Sequence, residues 1–279
     1  MEQATFANNA IKLSNSDYFT AYRKIEPGSI NLILADIPYG VLTEKCDWDI
    51  DVDLTRLEMT FDHVLHPKGQ IIMFCNLALL VKLLNSFTKF TYYTHYIWKK
   101  PSPMPLSKYF PLGDSEFILV FRRTDTKVSD LTFNPTEANS GIPYQRKNTQ
   151  TDVKTRRMVK SPMTENKTGD RWIRTILSAP NKPCMPAAEK TSHPSQKPIS
   201  LGRVLLKTHS NTGDNVLDPF AGSGSFLLSC FYEGRKCQGF EMNKPYFNEA
   251  SQRLGLFTNQ INLFQTVNTE STLKQEILL

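Results

Sequence analysis

Two short stretches of this 279-residue sequence put reactive side chains where an apolar strand would end. In Asp36-Ile37-Pro38-Tyr39-Gly40, a carboxylate, a proline and an aromatic ring follow the run NLILA. The C-terminal edge of a strand is where open α/β sheets bind ligands. In VLDPFAGSGSFLL, Val216–Leu228, a strand runs into Asp218, then a loop of small residues, then a segment of helical spacing. Gly222 and Gly224 permit a positive φ and close backbone approach, and the helix that follows offers free N–H groups.

About twenty residues further on, a second strand reads KCQGFEM and sets Glu241 at the same edge, where a carboxylate can accept both hydroxyls of a ribose. The plain alternative is a tight strand-to-helix turn followed by a solvated glutamate, and a G-x-G pattern by itself does not decide between them. The loop lacks the third glycine of a dinucleotide site and the Gly-Lys-Ser/Thr ending of a phosphate-binding loop. A ligand with a ribose and no phosphate, such as S-adenosylmethionine, fits better.

The elements that must hold these residues follow from periodicity. Short runs apolar on both faces recur at 31–36, 70–75, 94–99, 116–121, 215–220 and 236–241. Between them, Asp53–Leu65, Leu77–Phe87, Ile199–His209 and Ser225–Glu233 carry apolar residues at three and four spacing. This alternation predicts an α/β fold, a doubly wound sheet covered on both faces. Residues 124–191 break the rhythm, being rich in Lys, Arg, Asn, Thr and Pro with no clean period, and read as an insertion. The last two dozen residues read as a polar tail.

A formal net charge of +6 is compatible with a polyanionic partner without requiring one. Five scattered cysteines with no C-x-x-C pair suggest neither a disulfide framework nor a zinc site, and no metal is expected. The most apolar stretch, IIMFCNLALLVKLL, is broken by Asn76 and Lys82 before membrane-spanning length, and no secretory signal opens the chain. The expectation is a cytoplasmic protein without membrane attachment.

DIPYG resembles the D-P-P-Y motif of amino-group methyltransferases, and DPFAGSGS resembles their F-x-G-x-G cofactor loop. Three more stretches fit the beta group of DNA amino-methyltransferases (N6-adenine and N4-cytosine) in the same order. NSDYFTAY at 15–22 is similar to its acidic segment, HPSQKP at 193–198 to its HP-x-QKP segment, and IWKKPSPMP with SEFILVFRR to its W-x-K and E-x-I-L-x-F-x-K pattern. Ile37 departs from the family by replacing its first proline.

The resemblance implies a Rossmann-like mixed sheet of the seven-stranded methyltransferase type, circularly permuted, which accounts for the late glycine loop. It implies a catalytic domain over 1–123 and 192–257, a target-recognition insertion over 124–191 and a tail over 258–279. Catalysis falls to Asp36, Pro38 and Tyr39: the Asp36 carboxylate and the Pro38 carbonyl accept the hydrogens of an exocyclic amine, and Tyr39 stacks on a flipped base. S-adenosylmethionine would meet Asp17 at its adenine and Glu241 with Met242 at its ribose. Its methionine end would meet His193, Ser195, Lys197, Asp218, Phe220, Gly222, Ser223 and Gly224, and its methyl would face Asp36. Lys99, Lys100, Arg156, Arg157 and Arg171 are candidates for DNA contact, as other basic residues of the insertion are.

The implied reaction is site-specific methylation of adenine N6 in duplex DNA. N4-cytosine methylation, methylation of RNA or a protein glutamine, and a catalytically silent DNA-binding relative are the alternatives. As partners it implies double-stranded DNA, with a second copy of the chain and a restriction endonuclease of the same system as further candidates.

Overall fold

A computed structural model describes residues 2–39, 52–104, 108–109, 111–138, 141–146, 149–151, 158–160 and 164–259. The N-terminal part runs β1 (Glu2–Phe6), β2 (Ile11–Asn15), α1 (Tyr18–Ala21), β3 (Ile30–Ala35), α2 (Leu54–Val64), β4 (Leu65–Cys75), α3 (Leu77–Ser86), β5 (Phe90–Met104) and β6 (Gly113–Arg123). Five strands of three residues follow: β7 (Tyr144–Arg146), β8 (Thr149–Thr151), β9 (Met158–Lys160), β10 (Thr164–Asn166) and β11 (Ile176–Ser178). The chain closes with α4 (Ile199–His209), β12 (Asn215–Asp218), α5 (Ser225–Tyr232), β13 (Lys236–Glu241) and a helix over 244–259, α6.

Among the described residues the main sheet has the order β1-β2-β13-β12-β3-β4-β6-β5-β11. From β2 to β4 neighbouring strands are parallel, and β6 is antiparallel to both β4 and β5. The inner seven strands form the mixed, doubly wound sheet expected from the sequence. The edge additions were not legible: β1 pairs antiparallel with β2, and β11, from within the expected insertion, pairs parallel with β5. Strands of three to five residues are too short to show a period.

Burial explains why the strands read as apolar throughout. Along β3, Leu32 and Leu34 join one core with Leu201, Leu205, Phe226, Leu227 and Phe247 of α4, α5 and α6. Their neighbours Ile33 and Ala35 join the other core with Leu57, Phe61, Leu79 and Leu83 of α2 and α3. Period-two alternation therefore sends successive side chains into two dry layers. Side-chain caps fix two helix starts, Asp53 accepting from Arg56 N–H at 3.0 Å and Asn76 from Leu79 N–H at 2.8 Å. α6 buries Phe247, Ala250 and Leu254 at helical spacing and continues through residue 259, so the first two residues of the expected tail are helical. Residues 260–279 lie outside the described residues. No helix among the described residues is long and apolar enough to cross a membrane.

The order matters for the site because β12 and β3, far apart in sequence, are adjacent and parallel, with Val216 opposite Leu32 and Leu217 opposite Ile33. From β12 the chain turns towards β13 on one side; from β3 it turns towards β4 on the other. Their C-terminal ends therefore flank a topological switch point, where the two outgoing loops diverge and open a crevice. Asp218 and Asp36 stand at that point.

Candidate active site

On the β12 side, the glycine loop is held in one shape. Gly222 and Gly224 have φ of 48° and 72°, the left-handed region that favours glycine. Gly222 N–H donates to Glu241 Oε2 at 2.9 Å and Asn243 N–H to Glu241 Oε1 at 2.7 Å. Arg253 of α6 binds the loop from behind, donating to the Ser223 carbonyl at 2.9 Å and to Ser225 Oγ at 3.1 Å. His193 lies against the loop: a Cβ on Gly222 would come within 3.0 Å of His193 Nε2. Burial pushes the His193 pKa down to about 4, so the ring is neutral near pH 7.

Three carboxylates line this edge. Asp17 caps α1, accepting from Phe19 N–H at 2.9 Å, and its neighbour Ser16 donates its N–H to the Glu241 carbonyl at 3.1 Å, which brings the ends of β2 and β13 together. Burial raises the Glu241 pKa, opposed by its two N–H donors. Asp218 is 1% exposed; its Oδ1 accepts from Phe220 N–H at 3.3 Å, while Oδ2 has no hydrogen-bond partner among the described residues. Burial lifts its pKa well above the ordinary carboxylate value. Phe220 packs edge-on against Tyr18 and Phe19. Ser195 is half-buried and Met242 is 63% exposed.

On the β3 side, Asp36 enters a buried cluster of charges. Lys197 Nζ lies 2.7 Å from both Asp36 oxygens and 3.1 Å from Glu116 Oε1. Lys100 Nζ lies 2.8 Å from Glu116 Oε2. Tyr39 Oη reaches Glu116 Oε1 at 2.5 Å and Asp36 Oδ1 at 3.1 Å. Lys197 and Glu116 are 5% and 8% exposed and Asp36 and Lys100 17% and 20%, so two carboxylates and two ammoniums balance one another largely shielded from water. Burial is the largest influence on both carboxyl groups. It raises the Asp36 pKa, whereas the flanking Lys197 and Lys100 outweigh it at Glu116 and bring that group down to about 2. Glu116, with an ammonium on each oxygen, is the stronger acid of the two, and Asp36, which shares only Lys197, is the weaker.

The structure brings Asp36 and Tyr39 together with Lys197, and Asp17, Asp218, Gly222, Gly224 and Glu241 together along the adjoining edge. The Lys197 ammonium faces Asp36. Lys99 is exposed on β5, while Lys100 turns inward to Glu116 and over the Trp98 ring. Arg171 is exposed, with Nη2 donating to the Ile142 carbonyl at 3.2 Å and its guanidinium over Tyr144. Arg156, Arg157 and Gly40 lie outside the described residues. Sequence reasoning missed Glu116 as a site residue; its signal was an acid opening the apolar run FILVF, at the strand end nearest the site.

A family model described as DNA methylase, with N6/N4 in its name, matches residues 30–252. The chain is 28% identical to the type II methyltransferase M.HpaI of Haemophilus parainfluenzae, over 96% of this chain and 78% of that protein. It is 27% identical to the DNA adenine methyltransferase YhdJ of Escherichia coli K12, over 91% of this chain and 85% of that protein. Its fold is similar to the crystal structure of an M1.HpyAVI–SAM complex, with a TM-score of 0.59 at 24% identity, covering 87% of this chain and 99% of that one. The match across most of its length, over the strands and loops that build this crevice, means that the chain belongs to the N6/N4 DNA methylase family.

Proposed function

We propose that this protein transfers a methyl group from S-adenosylmethionine to the exocyclic N6 of adenine in duplex DNA. The observation that carries the reading is the meeting, at one switch point, of Asp36-Ile37-Pro38-Tyr39 after β3 and the acid-lined glycine loop after β12. The likeness to M.HpaI and to YhdJ, whose name specifies adenine, supports DNA and adenine over the other substrates.

The donor set fits the cofactor. Three carboxylates along an edge repel a phosphate and suit a ligand with hydroxyls, an ammonium and a sulfonium. Glu241 uses one site on each oxygen for backbone N–H groups, which leaves further lone pairs for a ribose diol. The Asp218 oxygen without a hydrogen-bond partner among the described residues is a buried polar atom that a polar group of the cofactor would satisfy. Asp17 would hold the adenine end; Phe220, Gly222, Ser223, Gly224, His193 and Ser195 would enclose the methionine end, with Met242 beside the ribose. When bound, S-adenosylmethionine supplies an electrophilic methyl group.

The amine of adenine is a poor nucleophile because its lone pair is delocalised into the ring. Asp36 and the Pro38 carbonyl accept its two hydrogens, draw the nitrogen towards tetrahedral geometry and aim the lone pair at the methyl. The N–CH3 bond would form as the S–CH3 bond breaks, the sulfur keeping the bonding pair, and the methylated amine would pass its surplus proton to the Asp36 carboxylate that already accepts it. Placement of this kind supplies roughly 7–11 kcal/mol of a barrier in favourable cases. Tyr39 stacks on the extruded base, whose unstacking costs a few kcal/mol. Residues 124–191 serve as the target-recognition part, with Lys99 and Arg171 on the DNA, and 1–123 with 192–257 as the catalytic domain.

The test is transfer of labelled methyl from S-adenosylmethionine to unmethylated bacterial DNA, followed by digestion and identification of the modified base. N6-methyladenine is expected, with Asp36→Ala lowering the rate at least about 1000-fold. N4-methylcytosine as the product, methyl groups on RNA or protein instead, or unchanged transfer by Asp36→Ala would each overturn the reading in the corresponding part.

A further inference from the structure

Asp36 receives two hydrogen bonds from a single ammonium, that of Lys197, which is held in turn by Glu116. The three groups come from three separate places in the chain: the loop after β3, strand β6 and the segment before α4. A fourth, Lys100 of β5, closes the far side of Glu116. The Glu116 carboxylate also takes the Tyr39 hydroxyl, so the same residue fixes the ring next to the acid. Burying four charges for stability alone is a poor trade, because desolvation often exceeds the Coulombic gain. The arrangement does give the site a carboxylate and an aromatic ring in set positions, at the edge where the glycine loop ends.

We propose that Glu116 and Lys197 are positioning residues of methyl transfer, a clamp that fixes the Asp36 carboxylate and the Tyr39 ring for the target amine. The proposal rests on the function argued above and goes beyond it by assigning a role to two groups that need not touch the substrate. Lys197 bonds both Asp36 oxygens and so sets the plane of the carboxylate, leaving its remaining lone pairs for the amine hydrogens. Glu116 keeps Lys197 between two acids, so that the ammonium does not neutralise Asp36 alone. A residue that merely held strands together would not need charge; a residue that sets the ionisation and orientation of Asp36 does.

The groups facing Asp36 come from every element around it: Lys197, Glu116, Tyr39, Cys75 at the end of β4 and Asp218 at the end of β12, with Lys100 acting through Glu116. Removing a negative neighbour lowers the pH at which Asp36 titrates, and removing a positive one raises it. Charges at 4–6 Å move a titration by about one to three units. Glu116→Gln and Lys197→Met therefore shift Asp36 in opposite directions, a signature that loss of packing does not produce.

The experiment follows the carboxyl carbon resonances of protein labelled with 13C-aspartate against pH, with Asp36→Asn identifying the signal. Glu116→Gln is expected to move the Asp36 midpoint down by about one unit or more, and Lys197→Met to move it up by a similar amount. In parallel, Glu116→Gln is expected to lower kcat on DNA about 100-fold while the KM for S-adenosylmethionine stays within about threefold. If a variant fails to give a cooperative melt, Lys100→Met replaces it and should move Asp36 up by a smaller amount. Midpoints that stay in place or move in the same direction for Glu116→Gln and Lys197→Met, or a kcat within about threefold of the parent, would overturn the proposal. If the parent protein methylates no adenine, the functional reading fails, and the titrations still decide whether the clamp exists.

Discussion

Removing the Glu241 side chain tests the cofactor edge most directly, because that carboxylate has one task inside the protein and, in the proposed function, another towards the ligand. Inside the protein it accepts Gly222 N–H at 2.9 Å and Asn243 N–H at 2.7 Å. A hydrogen bond to a charged group contributes about 1.5–3 kcal/mol. The ionised carboxylate is already destabilised by burial, as its raised pKa records, and relief of that cost offsets part of the loss. Glu241→Ala should therefore cost about 2–3 kcal/mol of stability, a fall in Tm of roughly 4–12 °C for a chain of this size. Towards the ligand it should lose the ribose contact, weakening S-adenosylmethionine about 10–100-fold. Glu241→Gln should rescue neither effect, since its amide NH2 meets one of the two N–H groups as donor against donor. Thermal melts with and without S-adenosylmethionine, together with calorimetric titration, separate the two effects. Affinity within about threefold of the parent in Glu241→Ala would refute the ribose assignment. A Gln variant equal to the parent in both measurements would refute the argument from acceptor geometry.

Three other expectations concern stability and DNA. His209 is buried between Tyr96 Oη at 2.9 Å and Gln70 Oε1 at 3.0 Å, and burial pushes its pKa down to about 3. Its neutral form is what the fold tolerates, so its contribution is fully present above pH ~6.5 and is lost as pH falls towards 3, up to roughly 5 kcal/mol. Urea unfolding at pH 7, 5 and 4 should show this slope, flattened in His209→Gln, and identical slopes would exclude the assignment. Gly202 packs α4 on α5: a Cβ there would lie 2.4 Å from Ser229 Oγ and 3.0 Å from Phe226 Cδ1. Gly202→Ala should cost roughly 1–3 kcal/mol by overpacking, partly recovered by adding Ser229→Ala, as read from Tm. Exposed Lys99, on β5 beside the inward-facing Lys100, should contact phosphate, so Lys99→Ala should weaken DNA binding and reduce its salt slope by about 0.9. An unchanged slope would remove Lys99 from the interface.

The inner strands other than β2, and the helices α2 to α5, were legible because apolar runs buried on both sides alternate with segments of helical spacing. The pairs Leu32–Leu34 and Ile33–Ala35 show how one apolar run serves two cores. The hairpin β1–β2 and the short strands of 144–178 left no trace, because three to five residues cannot establish a period. At the site, Asp36, Asp218, Gly222, Gly224 and Glu241 could be named from position alone, each standing at a strand end or in the turn after it.

Sequence by itself determined the chemistry at hand: which side chains stand at strand ends, that the glycine loop suits a ligand without phosphate, and the order in which the motifs run. It could not determine that β12 lies beside β3, since adjacency in a parallel sheet is set by crossover packing and not by distance along the chain. It also could not join Asp36 to Lys197, Glu116 and Lys100, which look in sequence like three isolated charges. Only the folded sheet brings them within hydrogen-bond reach, and only burial, by weakening the screening of water, turns four ordinary side chains into one interacting group.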